Sequence, residues 1–209
     1  MGMRVHELHA AAVHAPLVLL PAAAIVDFSA AVTGNRRRDA LGRTLWWTGI
    51  GAAAVAGVAG MAASQEIKAD DPHTDDMIWL HGIGNTAILL GAVGVAVWRT
   101  GRRASLPQSI IGLAACGLSL FTAYLGGEMV YGHGVGVRAM PRIAPAGVRQ
   151  SPPVLSAGAP GTFLRDAGRG LLWLLGRTAE VLRGKRRLSR RMLGLEPRGE
   201  GADESPAVH

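Results

Sequence analysis

The residues best suited to chemistry in this chain of 209 residues are its histidines: His6, His9, His14, His73, His81, His133 and His209. Neutral imidazole is a ligand for iron, copper or zinc, and two imidazoles from facing helices can sandwich a haem. The ring nitrogen not used for metal needs a carbonyl or carboxylate acceptor. Glu128 and Asp27 are the candidate acids, and depth favours Glu128. Asn85 follows His81 by four residues, which places both on one helix face. The single cysteine, Cys116, excludes an internal disulfide framework, a four-cysteine zinc site and an iron–sulfur cluster. A C-x-x-C-H run is lacking, so covalently attached haem is excluded too.

Four apolar stretches must position these groups, at 11–32, 44–64, 78–98 and 108–131. The first, at 1.5 Å per helical residue, reaches roughly 33 Å, enough to cross a hydrocarbon core of about 30 Å. The expected fold is therefore all-α, a polytopic membrane four-helix bundle. Interiors such as GIGAAAVAGVAGMAAS carry the small residues that let helix backbones approach closely in lipid. Pro16 and Pro21 should kink the first span or unwind one of its turns.

Connections set an orientation. Arg36, Arg37, Arg38 and Arg43 separate spans one and two, and Arg99, Arg102 and Arg103 separate spans three and four. The remaining loop carries Lys68 against Glu66, Asp70, Asp71, Asp75 and Asp76. By the positive-inside rule both termini and the acidic loop lie outside, in the periplasm of a bacterial inner membrane. His9 and His14 open span one, His81 opens span three and His133 follows span four, so all four fall at outer span ends. His14 and His81 are the first choice of axial pair, with His133 and His9 next. His9 and His14 are five residues apart and cannot point the same way on a regular helix. His6, His73 and His209 read as interfacial residues wetted by headgroups and water.

The same residues carry a resemblance. His9-Ala-Ala-Ala-Val-His14-Ala-Pro16 looks like the H-x4-H-x-P opening of a bacterial family of predicted four-span membrane proteins, domain of unknown function 2231. The run Gly126-Gly127-Glu128-Met129-Val130-Tyr131-Gly132-His133-Gly134-Val135-Gly136-Val137 is similar to its closing G-G-x-x-V-Y-x-H-G-V-G-V signature, and His81 with Asn85 resembles its third-span H-x3-N. Ala10 and Ala15 depart from the proline and phenylalanine common in the opening. The resemblance covers about residues 5–137 and implies a respiratory or redox setting, because members are often encoded beside or fused to cytochrome c or Rieske modules. Gly126 and Gly127 would let a flat macrocycle or another helix lie against the backbone, and Gly132, Gly134 and Gly136 would end the helix.

Net charge is +7. Residues 1–133 hold nine basic and nine acidic side chains, so the surplus belongs to 134–209, with thirteen basic against six acidic. Residues 138–161 read as a Pro/Gly-rich linker, 162–195 as an amphipathic basic helix and 196–209 as a disordered tail. Arg165, Arg169, Arg177, Arg183, Lys185, Arg186, Arg187, Arg190 and Arg191 are the candidate contacts for anionic lipid or for an acidic partner. Nucleic acid is not expected, since the topology puts this tail outside.

The expected function is that of a haem b-binding membrane subunit carrying electrons between an external redox protein and the quinone pool. It would hold one or two haems, with quinone binding open, and would have no substrate chemistry of its own. The alternatives are a non-redox anchor or scaffold and a transition-metal site built on His6, His9 and the acidic loop. Homo- or hetero-oligomers are both compatible with the sequence.

Overall fold

The computed structural model describes residues 3–66, 72–135 and 151–189. Its helices are α1 (Glu7–Ala12), α2 (His14–Thr33), α3 (Arg36–Ala63), α4 (Pro72–Trp98), α5 (Leu106–Tyr131) and α6 (Ala159–Leu182). The first span runs as α1 and α2 joined through Val13, whose backbone stays helical, and α2 continues through Pro21. Pro16 has no N–H to give the Ala12 carbonyl, so one helical bond is missing there. Val13 joins the two pieces, its N–H reaching His9 O at 3.1 Å and its carbonyl accepting from Leu17 N at 3.3 Å.

Helices α3 and α4 extend beyond the apolar stretches into polar residues. The Asn35 side chain accepts from Arg37 N at 2.9 Å and Arg38 N at 3.2 Å, so the arginines expected in a loop form the first turns of α3. Asp75 and Asp76 likewise belong to the first turns of α4.

Helices α2, α3, α4 and α5 pack in a closed ring, each against its neighbours in that order and α5 against α2. The shared core joins Leu20, Ala23, Ala24 and Trp46 to Ile88, Ala92, Val95 and Ala96. Small residues dominate it, and large ones face outward: Val18, Ile25, Val55, Leu90, Ile110 and Leu120 are all exposed. Such a bundle buries its alanines and leaves its bulk for lipid, and α1–α2, α3, α4 and α5 are each long and apolar enough to cross a membrane. The protein is a multi-pass membrane protein.

Where 138–161 reads as a linker, residues 151–158 are tied to the N-terminal segment: Arg4 and Pro153 form a β-bridge and Arg4 donates to Ser151 O at 2.9 Å. The amphipathic helix spans Ala159–Leu182 and packs on α3 and α4. Residues 67–71, 136–150 and 190–209 lie outside the described residues, and with them Lys68, Asp70, Asp71, Arg190, Arg191 and the terminal tail.

Candidate functional site

The first turns of span one, α1, pack on α3, and that decides which histidines meet. His9, not His14, lies beside His81: their ring centroids are 6.1 Å apart with planes at 89°. His9 Nδ1 lies 2.9 Å from the Ala56 carbonyl on α3, and His81 Nδ1 lies 2.8 Å from the Thr122 carbonyl on α5. A carbonyl only accepts, so each Nδ1 carries a proton, and in the neutral tautomer that fits this contact Nε2 keeps its lone pair. The pair thus has the backbone anchoring by which metal-binding imidazoles are oriented, and the two rings would be the ones to hold a metal centre here.

Two glycines seat these rings. A Cβ on Gly60 would come within 2.9 Å of His9 Nδ1, and one on Gly126 within 3.2 Å of His81 Cε1. Gly126 therefore receives the His81 imidazole itself, while nothing lies within 4 Å of a Cβ on Gly127.

Further along α4 a second pair forms. The His73 and His133 rings are 5.5 Å apart and tilted by 56°, and His133 Nδ1 lies 3.1 Å from the Thr74 hydroxyl. His73, read from sequence as an interfacial residue, is thus the ring neighbour of His133. The eight residues from His73 to His81 put the two pairs about 12 Å apart along the helix. His14 is exposed, its Nδ1 3.4 Å from Ala11 O in its own turn. His6 Nδ1 sits between Ser151 Oγ at 2.8 Å and Glu66 Oε2 at 3.0 Å.

The residues expected to support the imidazoles do other work. Asn85 donates to the His81 carbonyl at 2.8 Å and accepts from Thr122 Oγ1 at 3.3 Å, bracing the turn of α5 that holds the His81 ring. Glu128 is exposed at the end of α5, its Oε1 beside Gly132. Asp27 stands at the opposite end of the bundle from the histidines. It is fully buried, bound by Arg99 through Nε at 2.9 Å and Nη2 at 3.1 Å, by Trp46 Nε1 at 2.9 Å and by Gln108 Nε2 at 2.9 Å. Arg99 also reaches Asp39 Oδ1 at 3.2 Å, and Asp39 takes Arg43 at 3.2 Å and Ala104 N at 2.7 Å. Four helix ends are tied together there. Arg99 is consequently a buried clamp and not a solvated loop charge; the sequence signal was an acid inside span one level with the first arginine after span three.

Residues 5–139 match the model of a family described as a predicted membrane protein, DUF2231. The chain belongs to that family. No curated protein and no solved structure matches it. Both histidine pairs of this DUF2231 protein, and the Asp27–Arg99 clamp, lie inside the matched region; α6 lies beyond it.

Helix α6 divides its basic residues. Arg177 is buried, donates to both Asp75 and Asp76 on α4, and lies 6.0 Å from the centre of the Trp173 ring. Arg186 bonds Asp75 at 2.8 Å. These two arginines are therefore engaged by the chain's own acids, and the acidic partner proposed for the tail is in part the first turn of α4. Trp79 Nε1 donates to Thr178 Oγ1 at 3.1 Å, and Gly170 abuts the Met61 carbonyl so closely that a Cβ would lie 2.1 Å from it. Arg165, Arg169, Arg183, Lys185 and Arg187 are exposed. Asp166 accepts a hydrogen bond from Arg165, which raises that guanidinium above its ordinary value. Leu164, Leu171, Leu172, Leu175 and Leu182 form an exposed apolar stripe beside them.

Among the described residues no group of three or more His, Cys, Asp or Glu is placed to hold a metal ion. An apolar cavity between α2, α3, α4 and α5, lined by Leu20, Trp46, Ile88 and Cys116, measures about 50 Å³. That is well below the ~150 Å³ that admits a benzene ring, so a quinone head does not fit it.

Proposed function

We propose that this protein is a haem b-binding membrane subunit that carries electrons between a redox protein on its histidine-bearing side and the quinone pool. The supporting observation is the His9–His81 pair, two backbone-anchored imidazoles on separate helices with ring centroids 6.1 Å apart, which would be the residues to hold the haem iron. Haem b would supply one-electron chemistry with no bond made or broken in the protein. The chain's part is to hold two ligands on separate helices, with Ala56 O and Thr122 O fixing each tautomer and Gly60 and Gly126 giving the rings room. The carbonyl bonds increase imidazole basicity and so favour the oxidised iron. The seven arginines of the opposite end orient the bundle with its histidines and both termini on the external face of a bacterial inner membrane.

The test is a dithionite-reduced minus oxidised spectrum of the full chain purified in detergent, with a pyridine haemochrome count. A b-type spectrum that disappears in His9→Ala and His81→Ala and survives in His14→Ala is the expected result. Absence of b-type absorbance from protein that retains its helical content overturns the proposal. Bound transition metal without haem, found by elemental analysis, also overturns it and points to a two-imidazole metal site.

A further inference from the structure

A second site lies where the end of α3 meets the start of α6. A cavity of about 320 Å³ opens there, lined among others by Glu66, Ser151, Arg165, Asp166 and Arg169. That volume is at the small end of ligand-binding clefts. The Glu66 side chain is only 8% exposed, and its two oxygens are treated differently. Oε2 takes His6 Nδ1 at 3.0 Å and Ser151 N at 3.1 Å, while Oε1 is buried with no hydrogen-bond partner. A desolvated carboxylate oxygen left without a donor is costly, and the natural remedy is an N–H from a ligand.

On the α6 wall stand two arginines four residues apart, hence on one helix face. Arg165 is held by Asp166 at 3.0 Å, whereas Arg169 approaches Asp166 only at 3.8 Å and is 56% exposed. Most of its five N–H donors are thereby left for an anion. The cavity thus offers an acceptor for a cation at one side and guanidinium donors for an anion at the other, which is the charge pattern of a zwitterion. Its place in the fold narrows the choice. It sits just past Ala63, where the apolar span ends and where the headgroups of a membrane crossed by α3 would lie, and α6, which forms one wall, carries the exposed leucine stripe.

We propose that this cavity binds the headgroup of an aminophospholipid, with the Glu66 carboxylate turning to bring its unpartnered, sealed oxygen to the primary ammonium and Arg169, assisted by Arg165, binding the phosphodiester. Phosphatidylcholine has no N–H to give Glu66, and phosphatidylglycerol has no cation. The same chemistry occurs in free phosphoethanolamine, which lacks the acyl chains that would lie along Leu164, Leu171 and Leu172.

The experiment titrates the delipidated full chain, in a lipid-free detergent, with short-chain phosphatidylethanolamine, phosphatidylcholine, phosphatidylglycerol and free phosphoethanolamine, read by thermal shift and native mass spectrometry. Phosphatidylethanolamine is expected to bind about tenfold or more tighter than each of the others, the scale of one charge-assisted hydrogen bond. Glu66→Gln should erase that preference, and Arg169→Gln should weaken every phospholipid. Because Glu66 also holds His6 and Ser151, Arg169→Gln serves as the independent variant should Glu66→Gln fail to fold. Equal binding of phosphatidylcholine and phosphatidylethanolamine overturns the ammonium assignment. Free phosphoethanolamine binding as tightly as the lipid overturns the lipid and makes the ligand a soluble amino-phosphate. Haem content plays no part in any of these readouts, so they stand or fall apart from the electron-transfer proposal.

Discussion

The two ends of the bundle both bury polar side chains, but they finish them differently. At the arginine-rich end, Asp27 accepts from Arg99, Trp46 and Gln108, and Asp39 accepts from Arg99, Arg43 and Ala104 N; only Gln108 Oε1 is left without a partner. At the histidine-bearing end, His9 and His81 each spend one ring nitrogen on a carbonyl, and Glu66 spends one oxygen on His6 and Ser151. Saturated charges cross-link helices. Half-spent ones are oriented and still able to bind. Burial of a charged residue in a membrane helix is therefore a poor guide to function until its remaining valence is known.

The largest expected effect breaks the saturated end. Arg99→Met leaves two buried carboxylates without their shared cation and should cost about 3–5 kcal/mol in reversible unfolding in detergent micelles. A loss below about 1 kcal/mol would show that this end is no clamp. Next is the lacing of α6 across α3 and α4. Gly170→Ala drives a Cβ into the Met61 carbonyl, and overpacking of this kind costs about 1–3 kcal/mol. It should raise hydrogen exchange across Ala159–Leu182 while leaving α2 and α5 protected. Unchanged exchange in α6 would contradict the docking described above.

A sharper separation of the two ends comes from Gly60→Ala, which crowds His9 Nδ1 away from Ala56 O. Its stability cost should be at most about 1–3 kcal/mol. Under the haem proposal the b-type spectrum should nonetheless shift or be lost, and a wild-type spectrum from this variant would count against His9 as a ligand. The smallest effect belongs to the exposed stripe: Leu182→Ser, at a residue 82% exposed, should move stability by no more than about 0.5 kcal/mol. A larger change would mean that the stripe is covered by protein.

How much of this could be read from the residues differs by kind. Four apolar stretches, the arginine asymmetry between loops and the gathering of histidines at one set of span ends were all legible, because hydropathy and sequence position carry them. The choice of His9 over His14 was not, since it follows from what α1 packs against. The carbonyls of Ala56 and Thr122 were invisible for another reason: backbone acceptors have no side-chain identity to read. Asp27 could be recognised as an intramembrane acid but not as the partner of Arg99, 72 residues away along the chain.

The sequence alone thus determined that this chain forms a membrane helix bundle with imidazoles at one end and guanidinium groups at the other, because length, apolarity and charge act locally. Tertiary structure alone decided which of those groups are spent and which are left to bind, because hydrogen-bond satisfaction is a property of pairs of groups brought together by packing, and no single segment carries it.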